Sequence, residues 1–365
     1  MRDASEQGLV ISFFPRGRPC RDLVTGFIWC LVFGVWCFIN LMLPLSVLLP
    51  TRNSMSLLPK HIVSMQPWLQ LAQEVVAVDS HSEDGTREFL ERELRHPNVR
   101  VLSHPPGLYQ SWNFGIQQCR GKYVYVSTVG DSITREGIEL LASAAEQLAA
   151  EVVVSPPRMV RDDRPEERRW PVHELVEDRQ LRNPIRFSPF ETFTFAFVNL
   201  RKAILGSSAS NLYRTDLLQR LPFPTDFGTA GDLGWILQHA ADICLGIMPK
   251  TVSTFLFHPK VYAKSDYAVN DFAEKCLVTA RETLTRAMGK TEWGSSPGVG
   301  VLQELGGAWD EFLQAKRAFN SARGARMLWM LSPANWRAYR VREEKNRRLR
   351  AVQAAAMQHV IGSAT

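Results

Sequence analysis

Apolar runs and amphipathic stretches alternate along residues 45–155 with the spacing of a repeating strand–helix unit. Ser46-Val-Leu-Leu-Pro50 is a short apolar run that ends in the turn residues Thr51, Arg52 and Asn53. A helix is predicted over 57–71. Glu74-Val-Val-Ala-Val-Asp79 is too apolar for a sheet with one wet face and predicts a strand covered on both sides. The turn-rich Ser80–Thr86 stretch follows, suited to start a helix over 87–94. Residues 98–102 form a third predicted strand. The next helix carries Trp112, Gly115, Ile116 and Cys119 at helical spacing and stops at Gly121. A fourth strand over 122–127 runs into Val129-Gly130-Asp131. A helix over 135–149, with Ile138, Leu141, Ala145 and Leu148 inward, then leads to a strand at 152–155.

Strands joined by single helices imply right-handed parallel crossovers and an open α/β sheet flanked by helices. Ligands of such sheets bind beyond the strands' C-terminal ends, which points to Thr51–Asn53, Asp79–Ser82 and Ser127–Asp131. Residues 156–190 break the rhythm. They are proline-rich and charge-dense between Arg158 and Arg169, and read as an excursion over the surface. Gly231-Asp232 opens a helix near 233–241, one or two strands are predicted within 243–257, and the chain beyond Tyr262 is predicted helical. The division expected is therefore 1–41 as an N-terminal extension, 45–155 and 156–262 as two halves of one α/β unit, and 263–365 as a helical extension.

The N-terminal extension has its own pattern. Leu23–Leu43 is about twenty residues without a charge, long enough to span a bilayer. Arg16, Arg18 and Arg21 precede it, which would orient the N-terminus toward the cytoplasm. The competing expectation is an upstream extension, with Met42 as the natural start of the working protein.

Among its 365 residues the chain has 43 Lys+Arg against 37 Asp+Glu, a net charge of +6, with 45% hydrophobic and 22% charged residues. That composition is globular and excludes a disordered chain. Seven of the basic residues, against two Glu, fall in 334–350, so about +5 of the charge lies in one C-terminal stretch interleaved with Trp336 and Tyr339. A helix on an anionic membrane surface and a solvated helix packed on the domain fit that stretch equally, and nucleic-acid binding ranks below both. The six cysteines include no C-x-x-C pair, which argues against a disulfide scaffold or a structural zinc site and for a reducing, cytoplasmic setting. Membrane association at the cytoplasmic face remains the alternative.

Read in order, Pro50-Thr-Arg-Asn-Ser54, Val75–Thr86, Pro105–Ile116, the Asp131 turn and Gly231-Asp232-Leu-Gly-Trp235 resemble family 2 glycosyltransferases. The resemblance covers roughly residues 45–260. It implies a GT-A fold, which is a Rossmann-like, mostly parallel open sheet. It also implies transfer of a sugar, with inversion, from a nucleotide-sugar donor to a glycan, lipid-linked or protein hydroxyl. Such an enzyme must hold a nucleoside and a diphosphate, offset charge on the leaving phosphate and take a proton from the acceptor.

By that resemblance Thr51, Asn53, Asp79 and Ser82 lie at the nucleoside and Tyr109 lines the donor pocket, although helical spacing makes Trp112 core. Asp131 matches the last acid of the family's metal-binding element for Mg²⁺ or Mn²⁺. Val129-Gly130 stands where the earlier acid is usual, so the site is reduced. His258 matches a position where some GT-A enzymes place a further ligand. Asp232 matches the general base, with Glu191 next in line should it prove a helix cap. A nucleotidyltransferase would want a glycine-rich loop after the first strand, and Pro50–Ser54 has none. A non-catalytic relative that binds a glycan or partner is the remaining alternative, and the reduced acidic motif favours it.

Overall fold

The computed structural model describes residues 29–32, 35–38, 42–161, 164–257, 269–294, 298–322 and 333–361. The chain divides into two units, Met1–Leu41 and Met42–Thr365. In the first, β1 (Trp29–Val32) and β2 (Val35–Phe38) pair antiparallel, with Trp29 opposite Phe38. The described part of the uncharged 23–43 run is thus a hairpin and not the expected spanning helix. Its abundance of valine, tryptophan and phenylalanine suits extended backbone as well as a bilayer. Among the described residues no helix is long and apolar enough to cross a membrane.

The second unit opens with the predicted alternation. β3 (Leu45–Thr51), α1 (Leu58–Leu69), β4 (Glu74–Asp79), α2 (Thr86–Glu93), β5 (Val99–Ser103), α3 (Leu108–Gln118) and β6 (Tyr123–Val126) follow one another. β3 pairs in parallel with both β4 and β6, and β4 with β5. The chain therefore steps outward from β3 and returns on its other side, so the switch point lies between β3 and β6, where an α/β sheet opens a crevice.

Period-two alternation fills both faces of the sheet. Leu45, Val47, Leu49, Val75 and Ala77 face one buried cluster with α1; Leu48, Val76 and Val78 face the other with Trp112 and Ile116 of α3. Gly115 allows α3 to lie close on the strands, because a Cβ there would strike Leu48 Cδ1 and lie 2.8 Å from Val78 Cγ2.

The chain continues as β7 (Ser132–Ile133), α4 (Arg135–Gln147), β8 (Val152–Val154), β9 (Arg158–Arg161), β10 (Arg164–Pro165), α5 (Pro171–Asp178), β11 (Ile185–Phe187) and α6 (Pro189–Val198). It then forms β12 (Asn211–Arg214), α7 (Thr215–Arg220), α8 (Gly231–His239), β13 (Leu245–Ile247) and β14 (Ser253–Leu256). The main sheet runs β11-β13-β8-β12-β6-β3-β4-β5, and a smaller sheet runs β10-β9-β14-β7. The short β12 lies antiparallel between β6 and β8, so β8 is not the simple parallel neighbour its preceding helix implied.

The 156–190 stretch is not merely a surface excursion. β9 pairs with β14 and β11 closes the sheet edge on β13. Its charges lie on the open side, where Arg161 binds Glu166 at 2.6 Å while Met159 points into the core.

Beyond the sheets the described chain is helical, as predicted: α9 (Val269–Met288), α10 (Thr291–Gly294), α11 (Gly298–Ala322) and α12 (Pro333–Ile361). Cys119, Cys244 and Cys276 are buried free thiols.

Candidate active site

Three groups of side chains gather at the C-terminal edge of the main sheet. The first closes the ends of β3 and β4. Asp79, 1% exposed, accepts from Thr51 Oγ1 (3.2 Å) and Ser82 Oγ (2.6 Å) at Oδ1, and from the Ser82 N–H (3.0 Å) at Oδ2. Asn53, at φ +46, donates its N–H to Ser82 Oγ (2.9 Å) and accepts from the Glu83 N–H through Oδ1 (2.9 Å). Thr51, Asn53, Asp79 and Ser82 therefore form one network. Asp79 does not cap α2: Asp84 serves its start, bonding the Thr86 N–H (3.1 Å) and the Met55 N–H (3.0 Å).

The second group surrounds Asp131, 5% exposed, just after β6. Its Oδ2 accepts from Ser207 Oγ and its Oδ1 from the Leu256 N–H, each at 2.9 Å. Burial pushes the Asp131 carboxyl up to about 7, against those two hydrogen bonds. His61, on α1, spans the same turn: Nδ1 lies 3.1 Å from the Asp131 carbonyl and Nε2 2.9 Å from Ser127 Oγ. Burial lowers its pKa to about 4, so it is neutral. Sequence pattern gave no hint of His61 or Ser207, since each acts only once distant segments meet. Asp131 does not cap α4, because Thr134 does so by accepting from Gly137 N–H at 2.9 Å.

These residues do not fit a metal centre. A divalent ion held by protein needs several oxygen ligands. Here there is one buried carboxylate, with both oxygens already accepting protein hydrogen bonds. Among the described residues no group of three or more His, Cys, Asp or Glu is placed to hold an ion. His258 lies outside the described residues.

The third group joins α3 to α8. Tyr109, in the first turn of α3 and 4% exposed, donates to Asp232 Oδ1 at 3.2 Å. The same oxygen accepts from the Leu233 N–H at 2.8 Å. Desolvation raises the Asp232 pKa, and these two hydrogen bonds oppose the rise. Asp232 lies within α8, one residue after its start, and is not its N-cap. Tyr109 is wedged among Trp112 (ring centroids 5.2 Å), Phe223 (5.4 Å) and the backbone of Gly231, so its contacts are with the Asp232 side of the crevice. A Ser80–Ser111 hydroxyl pair at 2.7 Å ties the end of β4 to α3 and so links the first group to the third. Glu191 is engaged elsewhere, closing a capping box with Ser188 at the start of α6.

Residues 46–221, which include Thr51, Asp79, Tyr109 and Asp131, match the model described as Glycosyl transferase family 2. This family 2 glycosyltransferase domain match runs from β3 through α7. No curated protein sequence matches the chain. Among solved structures, S. aureus TarS 1–349 in complex with UDP-GlcNAc is 17% identical, with a TM-score of 0.50 over 86% of this chain and 92% of that one. S. aureus TarS gives 15% identity and a TM-score of 0.50 over 85% of this chain and 55% of that one. Glucosyl-3-phosphoglycerate synthase from Mycobacterium tuberculosis, in complex with Mn²⁺, UDP and glucosyl-3-phosphoglycerate, is 19% identical over 64% of this chain and 79% of that one, at a TM-score of 0.43. At these identities the TarS likeness speaks for the GT-A fold alone. The family match ends before Asp232, so the reading of that residue rests on geometry.

Proposed function

We propose that this glycosyltransferase moves a sugar from a nucleoside diphosphate to a hydroxyl acceptor with inversion, and that Asp232 is the general base. The observation that carries the reading is Asp232 itself. It is a partly buried carboxylate with a raised pKa, held by Tyr109 at the same sheet edge as the Thr51–Asp79 network. The nucleoside sits against Thr51, Asn53, Asp79 and Ser82 beyond β3 and β4. Asp131 shapes the turn at the switch point, where the diphosphate end of the donor lies. Asp232 accepts the acceptor hydroxyl's proton while that oxygen bonds to the anomeric carbon. The bond to the diphosphate breaks with its electron pair leaving on phosphate, and a single in-line displacement inverts the centre.

The TarS complex suggests UDP as the first nucleotide to test. α12 leaves Trp336 and Val341 about half exposed among Arg337, Arg340 and Arg347, which supports contact with an anionic membrane surface and a lipid-linked acceptor. The deciding experiment is a panel of UDP- and GDP-sugars scored for hydrolysis and thermal shift, with and without Mn²⁺. Stabilisation by a nucleotide together with slow hydrolysis of its sugar is the expected result. No response to any donor under either condition would favour the non-catalytic relative.

A further inference from the structure

We propose that Tyr109 is a positioning residue for Asp232, holding Oδ1 so that Oδ2 is the oxygen that meets the acceptor hydroxyl. The inference rests on the reading of Asp232 as base and deepens it. Both hydrogen bonds to the carboxylate, from Tyr109 Oη at 3.2 Å and from the Leu233 N–H at 2.8 Å, end on Oδ1. Oδ2 has no hydrogen-bond partner among the described residues, and Asp232 itself is half-buried rather than fully enclosed, which leaves Oδ2 as the oxygen free to accept. A carboxylate fixed through one oxygen presents the other at a set angle, which a general base needs because misplacement by about 1 Å can cost a hundredfold in rate.

Tyr109 is suited to that work by its packing. Its ring sits between Trp112 and Phe223, which themselves meet edge-on at 5.7 Å, and it has no room to turn. Across from it only glycine fits: a Cβ on Gly231 would strike Tyr109 Cδ2 and lie 2.5 Å from Cε2. The absence of a side chain at 231 thus lets the phenol reach the next residue's carboxylate.

The other ionisable groups around Asp232 do not compete for it. Tyr213 of β12 is bonded to Asn211 Nδ2 at 3.0 Å, and burial raises its pKa. On α9, which packs against α8, Lys275 binds Asp226, and Arg286 binds Asp242 and the Gln238 carbonyl. Glu191 of α6 is held by Ser188. Burial and the Asp232 charge raise the Tyr109 pKa well above its ordinary value, so the phenol keeps its proton and remains a donor.

The test is Tyr109→Phe, which keeps the ring and removes only the donor. The probe is hydrolysis of the best nucleotide sugar from the donor panel, followed as kcat and kcat/KM against pH. The expected result is a loss of about ten- to a hundredfold in kcat with donor KM unchanged. The acid limb should also move to higher pH, because the lost hydrogen bond had stabilised the ionised carboxylate. The double variant Tyr109→Phe/Asp232→Asn should be no slower than Asp232→Asn alone, since Tyr109 acts through Asp232. Nucleotide-induced thermal shift checks that each variant folds. An unmoved acid limb with near-normal kcat, while Asp232→Asn is inactive, would overturn the role of Tyr109 and leave the base assignment intact. Normal turnover by Asp232→Asn would overturn both.

Discussion

The glycine before the proposed base is the most exacting point in the site, and Gly231→Ala tests it. The added methyl would strike Tyr109 Cδ2 and sit 2.8 Å from the Pro224 carbonyl oxygen. Real Cβ atoms essentially never come within 3.0 Å of another heavy atom, and neither neighbour can retreat easily. Tyr109 is backed by Trp112 and Phe223, and Pro224 O is backbone. Overpacking of this kind costs about 1–3 kcal/mol, a fall of a few degrees in Tm. Gly234→Ala is the control on the same helix. Its methyl would lie 2.6–2.8 Å from the Phe227 ring, so a similar stability loss is expected without displacement of Tyr109. Thermal melts and donor hydrolysis on both variants separate the two effects. Comparable loss of stability is expected, with turnover at least about tenfold lower in Gly231→Ala than in Gly234→Ala. Equal turnover in the two variants would refute the claim that Gly231 acts through Tyr109 and Asp232.

Asp79→Ala leaves the Ser82 N–H and two hydroxyls without their acceptor and should sharply reduce stabilisation by UDP, read as a thermal shift; an unchanged shift would remove the nucleoside from this network. Neutral His61 contributes stability that is complete above about pH 6.5 and is lost as pH falls toward 4, because the folded state binds fewer protons there. His61→Gln should therefore flatten the acid side of the stability–pH curve by about 3 kcal/mol relative to the wild type, measured by denaturant titration at several pH values. Glu191→Ala should cost about 1 kcal/mol through loss of the α6 cap and leave turnover unchanged, as hydrolysis assays would show. If α12 meets a membrane, wild-type protein should sediment with anionic vesicles and an Arg337→Glu/Arg340→Glu/Arg347→Glu variant should not.

The first half of the fold was legible because its strands are buried on both faces. Val47 to Leu49 and Val75 to Val78 read as continuous apolar runs, and the turn residues after them mark where the sheet ends. β12 escaped notice because four residues, Asn211–Arg214, carry no periodic signal; its neighbours β6 and β8 determine it. The charges of 158–169 hid β9 for a related reason, since a strand with one face open to solvent tolerates arginine. In the site, Thr51, Asp79 and Asp131 could be found because strand ends in α/β sheets are predictable positions. The bond between Tyr109 and Asp232 spans 123 residues, and only the packing of α8 on α3 creates it. The uncharged run at 23–43 satisfied a length rule for a membrane span that says nothing of whether its backbone is helical.

The proposed mechanism has Asp232 remove the acceptor proton at a site whose nucleotide contacts lie elsewhere. It is tested most directly by measuring UDP affinity and nucleotide-sugar turnover side by side in Asp232→Asn. The expected result is a fall in turnover of about 10²–10⁴ with UDP affinity unchanged. Turnover near that of the wild type, or a loss of UDP binding that matches the loss of rate, would contradict it.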